Sequence, residues 1–268
     1  MMTSLKKWLF TFYCFAFLLY PFSNFAQKGN YIHLNGIYQY SSISNRNDLL
    51  YSDNPVNFSR SLYPGMGVTF INNSSNLFGF EVGAGFSVKG QNYYGTILYD
   101  ANTEDTVTIH YNSEVKLNYL HFPLLIRFNS TLGEDVVFLT ISTGFQLDYL
   151  INAKMNVDPA PVIPSGGEIE IRDLFNRANM SFLSNAVFSW KFSDLWLLNF
   201  GINMSRTLFN IENRNFPFDK SIHPVEYYFP VSTKKENRPS HDDLENRQTT
   251  RLMSYGVILG LSYLIKPL

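Results

Sequence analysis

The sequence predicts an all-β protein, a single antiparallel up-and-down transmembrane β-barrel of about eight strands. Three observations predict it. Apolar and polar residues alternate over strand-length stretches, the connections between these stretches are short and long by turns, and the chain is rich in aromatics (24 Phe and 17 Tyr). In the clearest stretch Phe78, Phe80, Val82, Ala84, Phe86 and Val88 share one parity, against Gly79, Glu81, Gly83, Gly85, Ser87 and Lys89 on the other. Successive strand side chains point to opposite faces, so this segment has one apolar face and one of Gly, Ser and charge. A soluble sheet hides such a face against a second layer, whereas a membrane barrel turns it to lipid and its polar face inward.

The first 26 residues read as a secretory signal. Lys6 and Lys7 precede an apolar run from Trp8 to Phe22, and small residues lead to a cut after Ala26. The run is short for a bilayer span of about 20 residues, which favours cleavage over anchoring. Residues 27–268 then form one barrel domain. Cys14, the only cysteine, lies inside the signal, so the exported chain has no disulfide, no thiol nucleophile and no cysteine metal site. The formal net charge of −1 gives no electrostatic case for nucleic acid. A mean hydropathy of −0.10 with abundant aromatics suits a barrel whose interfaces are ringed by aromatic side chains.

The strands follow in order. The first spans about 31–43 and the second about 61–71, with Leu62, Met66, Val68 and Phe70 on one face. The third runs from about 77 to 92. The fourth, about 114–128, carries Leu120, Phe122, Leu124, Ile126 and Phe128 on one parity, but Val115, Leu117 and Tyr119 on the other. That switch predicts a bulge near Tyr119–Leu120, and Pro123 calls for an unpaired amide. The fifth covers about 136–152, the sixth about 180–192 with Trp190, the seventh about 195–209 with Trp196, and the eighth about 251–265. The outward, lipid-facing band is expected to include Phe78, Phe80, Val82, Phe86, Leu120, Phe122, Leu124, Ile126, Phe128, Trp190 and Trp196.

Asn72–Asn76, Asn129–Glu134 and Ser193–Asp194 are turn chemistry. The other four connections, 44–60, 93–113, 153–179 and 210–250, are long and polar. Three short and four long connections in strict alternation are what an eight-stranded barrel with both termini in the periplasm requires. Ten strands are expected if a long connection holds a further hairpin. Tyr93–Tyr99 and Thr106–Tyr111 are placed to extend the third and fourth strands as a ribbon above the membrane.

Tyr119-Leu120-His121-Phe122-Pro123-Leu124-Leu125-Ile126-Arg127 resembles the PorT-like outer-membrane β-barrel proteins, in which a strand reading Tyr-Leu-x-x-Pro-Leu-Leu-x-Lys/Arg recurs. The Gly-rich strand from Gly79 to Gly90 and the following Thr143-Gly144-Phe145 fit the same pattern. The resemblance implies a barrel in the outer membrane of a Gram-negative bacterium; it does not imply a pathway.

With the apolar parity outward, the lumen collects Glu81, Lys89, Lys116, His121, Arg127, Asp148 and Lys191. Eight strands enclose only enough space for side chains, so these charges must pair. A hairpin symmetric about Leu132 sets Lys116 against Asp148, and Glu81 and Arg127 form a second pair on neighbouring strands. The reading that follows is a salt-bridged plug, with an ion or proton path as the competing one.

No catalytic, cofactor or metal-ligating constellation emerges. The five histidines show no Ser/His/acid spacing, and no phosphate loop, zinc spacing, calcium loop or dinucleotide fingerprint is present. The function expected is structural, adaptor or surface-binding, through the four long loops, with outer-membrane lipid around the wall. A general porin is disfavoured because eight strands leave no aqueous channel. Two alternatives stand. A soluble lipocalin-like carrier turns the apolar parity inward and Glu81 and Arg127 outward; an outer-membrane hydrolase needs a Ser–His pair at the rim.

Overall fold

Alternation becomes geometry in nine antiparallel strands: β1 (Gly29–Ser44), β2 (Asn57–Asn73), β3 (Phe78–Tyr99), β4 (Thr108–Leu132), β5 (Val137–Asp158), β6 (Glu168–Glu170), β7 (Ala178–Lys191), β8 (Trp196–Thr207) and β9 (Arg251–Lys266). They are seen in a computed structural model that describes residues 28–44, 57–75, 77–99, 108–132, 136–158, 167–213 and 249–266. The expected signal, 1–26, and much of each long connection (45–56, 100–107, 159–166 and 214–248) lie outside the described residues.

Each long strand pairs with its sequence neighbours, β1 pairs with β9, and β4 pairs with β5. The ladder therefore closes on itself as an eight-stranded barrel, with β6 as a three-residue addition to the far end of β5. Closure removes sheet edges, leaving no row of unpaired wall amides. Three four-residue connections link β2–β3, β4–β5 and β7–β8 at one end, where both termini of the wall also lie. The long connections all leave from the other end. β3 and β4 run past the wall as a ribbon, paired from Thr96 with Tyr111 to Tyr99 with Thr108.

The apolar parity faces outward. Met66, Leu124, Ile202 and Leu259 are 60–66% exposed in mid-wall. Every band residue named from the sequence lies on this outer surface, with Phe86 and Phe128 half-buried among their neighbours. Aromatic contacts collect at the two borders. Trp196 stacks near Tyr263 (4.9 Å) and Phe78 near Phe128 (5.3 Å) at the short-turn end; Tyr40 meets Tyr255 (5.8 Å) toward the long-loop end. Tyr263 and Tyr255 are eight residues apart on β9, about 21 Å along the barrel axis at the usual strand rise and tilt. This orientation overturns the carrier alternative, because Glu81 and Arg127 point inward.

Two local irregularities have visible causes. The β3–β4 ladder skips the step where Phe122 and Pro123 face Gly83 and Ala84, since proline has no N–H to donate. The β4–β5 register shifts between Asn118 and Tyr119, but the extra residue is Ile151 of β5. β4 itself keeps its phase, so Val115, Leu117 and Tyr119 point inward. The switch of apolar parity there marks a change in what fills the barrel, not a slip of the strand.

Register also supplies a test of closure. Leu34 of β1 faces Leu261 of β9 across the seam between the first and last wall strands, where directly paired Cβ atoms lie about 5 Å apart. Oxidation of the Leu34→Cys/Leu261→Cys double variant is expected to give an intramolecular disulfide. It is read as a mobility change on a boiled, non-reducing gel that neither single variant shows.

Candidate functional site: the barrel lumen and its outer plug

Inward side chains fill the barrel in layers. At the short-turn end Asn129 donates to Asn73 (3.2 Å) and Thr140 to Asn129 (3.0 Å), while Asn72 donates to Asn30 (2.6 Å) on the outer face. Above them Arg127 Nη1 lies 2.5 Å from Glu81 Oε2, and Thr69 donates to the other Glu81 oxygen at 2.9 Å. Both charges are buried, and each has hydrogen bonds beyond the ion pair, the condition under which a buried pair holds its geometry.

A second charged layer lies nearer the long-loop end. Lys89 Nζ stands 3.8 Å from Asp148 Oδ1 and 5.7 Å from the centre of the Tyr119 ring. Gln146 donates to Asp148 at 2.6 Å, and Ser181 donates to its other oxygen. His121 is the register partner of Asp148 across the β4–β5 ladder. Among the described residues, the opposite wall carries neutral pairs: Ser189 to Asn199 (2.7 Å), Asn199 to Ser262 (2.8 Å) and Ser205 with Ser254 (2.6 Å).

Between the two charged layers lies a cavity of about 50 Å³, lined by His33, Asn35, Ser87, His121 and Asn203 among others. Among the described residues, both ring nitrogens of His33, Asn35 Oδ1, Ser87 Oγ, His121 Nδ1 and Asn203 Oδ1 have no protein partner. Buried polar atoms usually have partners, and a polar cavity of this size has room for internal water. The inward glycines make room for the imidazoles: a methyl at Gly85 would overlap the His121 ring, and one at Gly260 would sit 2.5 Å from His33 Nε2. The Gly-rich reading of β3 thus has a steric reason.

The long-loop end is closed differently. After β6 the chain makes a 3₁₀ turn (Arg172–Leu174) and a bridge from Phe175 to Glu212. Ile171, Leu174, Phe175 and Ile211 are buried in one apolar cluster with inward residues of β3, β4, β5 and β9, among them Leu117, Tyr119, Leu150, Met155 and Leu252. Asn176 ties the two segments by donating to the carbonyls of Asn210 and Glu212, both at 2.9 Å. The lumen thus holds its charged layers between this apolar plug and a smaller buried apolar cluster of Tyr31, Ile71 and Leu264 at the short-turn end.

The structure brings Glu81 and Arg127 together, and places Lys89 and Asp148 in the same interior. Two residues assigned to the lumen from sequence are not there. Lys116 faces outward because β4 keeps its phase, and it pairs with Glu114 at 2.7 Å; it sits opposite Lys154, not Asp148, because the hairpin pairs Leu132 with Val137 and is not centred on Leu132. The cation of Asp148 is Lys89 instead. Lys191 is at the short-turn rim, 2.9 Å from Asp194 in the turn that follows it. The plug residues Ile171, Leu174, Phe175 and Ile211 were not singled out in sequence. The signal that marks them is inward-facing Val115, Leu117 and Tyr119, an apolar lining that needs a cover.

No family model matches the chain, and no curated protein does. Solved structures similar to it include Neisserial surface protein A (10% identity, 90% of this chain and 100% of that one, TM-score 0.42). Others are the outer membrane protein OprG from Pseudomonas aeruginosa (11%, 88% and 96%, TM-score 0.43) and Ail, the attachment invasion locus protein of Yersinia pestis (10%, 88% and 99%, TM-score 0.34). Likeness at such scores says nothing of ligand or role.

Removing one member of the inner ion pair leaves the other buried and uncompensated. Arg127→Met is expected to lower unfolding free energy by about 3–5 kcal/mol, and adding Glu81→Gln should recover most of the loss. The urea midpoint of the detergent-folded protein measures both.

Proposed function

We propose that this chain is an outer-membrane β-barrel with a structural, adaptor or surface-binding role. In this reading the wall anchors in lipid, the long connections and the β3–β4 ribbon reach a partner or ligand outside, and the barrel neither conducts solutes as a general porin nor catalyses a reaction. One observation carries it: the wall is apolar outside between two aromatic borders, while the inside is filled by paired charges and an apolar plug. The first half fits lipid and not water, since so large an exposed apolar band is foreign to soluble monomers. The second half supports a filled barrel over a pore, since eight strands enclose little more than their own inward side chains.

Residues 1–26 are then the export signal, with Gln27 at the mature start. The likeness of Tyr119–Arg127 to PorT-like barrels belongs to the same reading. His33 and His121 are buried in the lumen away from the rim, a poor position for surface hydrolysis. Among the described residues no three His, Cys, Asp or Glu side chains are grouped to hold a metal ion.

The expressed full chain is expected in the outer-membrane fraction, migrating faster on a gel before boiling than after it. A soluble periplasmic product without a boiling-dependent shift would end this reading. In planar bilayers the folded protein is expected to show no steady conductance. The Phe175→Ala/Ile211→Ala variant, which strips the plug, should raise brief opening events above the wild-type background.

A further inference from the structure

The charge on the wall is distributed unevenly. β1, β2, β8 and β9, four consecutive strands, contain no Asp or Glu. They carry three outward arginines at their long-loop end: Arg60 on β2, Arg206 on β8 and Arg251 on β9. Among the described residues none of the three has a carboxylate partner. The outward cations of the β4–β5 side do: Lys116 with Glu114 (2.7 Å), Lys154 with Glu168 (2.5 Å) and Arg177 with Asp173 (3.8 Å).

The register places these arginines together. Met253 pairs with both Ser42 and Arg206, and Ser41 pairs with Ser61, which follows Arg60. Arg60 and Arg206 thus flank one row across β2–β1–β9–β8, about 14 Å apart at the usual strand spacing. Arg251 stands two residues further out on β9. Beneath the row lies the aromatic pair Tyr40–Tyr255. Arg60 lies over the Tyr255 ring, 5.2 Å from its centre, and donates to its hydroxyl, which holds the guanidinium on the outer surface. The three cations therefore sit one step beyond the apolar band, at the depth of lipid headgroups.

We propose that this face binds phosphate-bearing headgroups of the outer-leaflet lipid through Arg60, Arg206 and Arg251, with Tyr40 and Tyr255 against the sugar–acyl boundary. The proposal rests on the outer-membrane reading above. Guanidinium groups take phosphate oxygens in paired hydrogen bonds, and among the described residues no carboxylate on these four strands competes for them. Basic clusters at headgroup depth select anionic lipids for the same reason.

The test titrates the purified full-length protein, folded in dodecyl maltoside micelles, with diphosphoryl lipid A. The Arg60→Gln/Arg206→Gln/Arg251→Gln variant is expected to bind about tenfold more weakly than wild type or worse, and Lys116→Gln/Lys154→Gln to bind as wild type does. Wild type alone should show a similar loss for lipid A stripped of its phosphates, a comparison that needs no variant to fold. Equal binding by the folded triple variant overturns the proposal, as does displacement of lipid A by millimolar inorganic phosphate, which would indicate a free-anion site. The boiling-dependent gel shift on the same samples separates the two failures. A wild type without the shift overturns the membrane reading and this proposal together, whereas a wild type with the shift and unchanged variant binding overturns the lipid site alone.

Discussion

Closure of the ladder is the constraint from which the rest follows. Once β1 pairs with β9 and β4 with β5, every wall residue has only two places for its side chain. The period-2 pattern then divides the chain between an outer and an inner environment, with no intermediate layer to absorb exceptions. Charges placed on the inner parity have no bulk water to retreat to. Glu81 and Arg127, and Lys89 and Asp148, are the arrangement that such enclosure permits, with hydroxyl and amide partners for the remaining lone pairs.

The interior is accordingly stratified. An asparagine pair and a small apolar cluster at the short-turn end give way to an ion pair, then to a small polar cavity bordered by two histidines, then to a second ion pair, and finally to apolar packing. The order matches what each depth can offer. The charges lie where hydroxyl and amide partners surround them, while the far end is covered by the chain's own return.

Much of the wall is legible in sequence, because alternation and turn chemistry are local signals. All eight wall strands appear where the pattern puts them, most extended by a few residues at the long-loop end. The contents of the lumen are less legible, because pairing depends on register. Lys116 shows the difficulty: Val115, Leu117 and Tyr119 suggest a strand that has slipped phase, which would turn Lys116 inward. Those residues are inward themselves, lining a plug supplied from 171–175 and 211. The bulge lies across the ladder at Ile151, a position no pattern in β4 can report. Lys191 is misread for a simpler reason, since strand parity ceases to bind a residue whose neighbour is a turn carboxylate. Glu81 and Arg127 are legible because both lie close to a short turn, where register has little room to drift.

The plug also bears on the order in which the molecule is built. Its apolar cluster draws on β3, β4 and β5, on the segments around Phe175 and Ile211, and on Leu252 near the start of β9. Because β9 is synthesised last, the cluster cannot be complete until the final strand has arrived beside β1 and β8. Contacts of such sequence separation are the slow ones to form. The cap over the lumen is therefore a late event in assembly, and its burial rewards only a wall that has already closed.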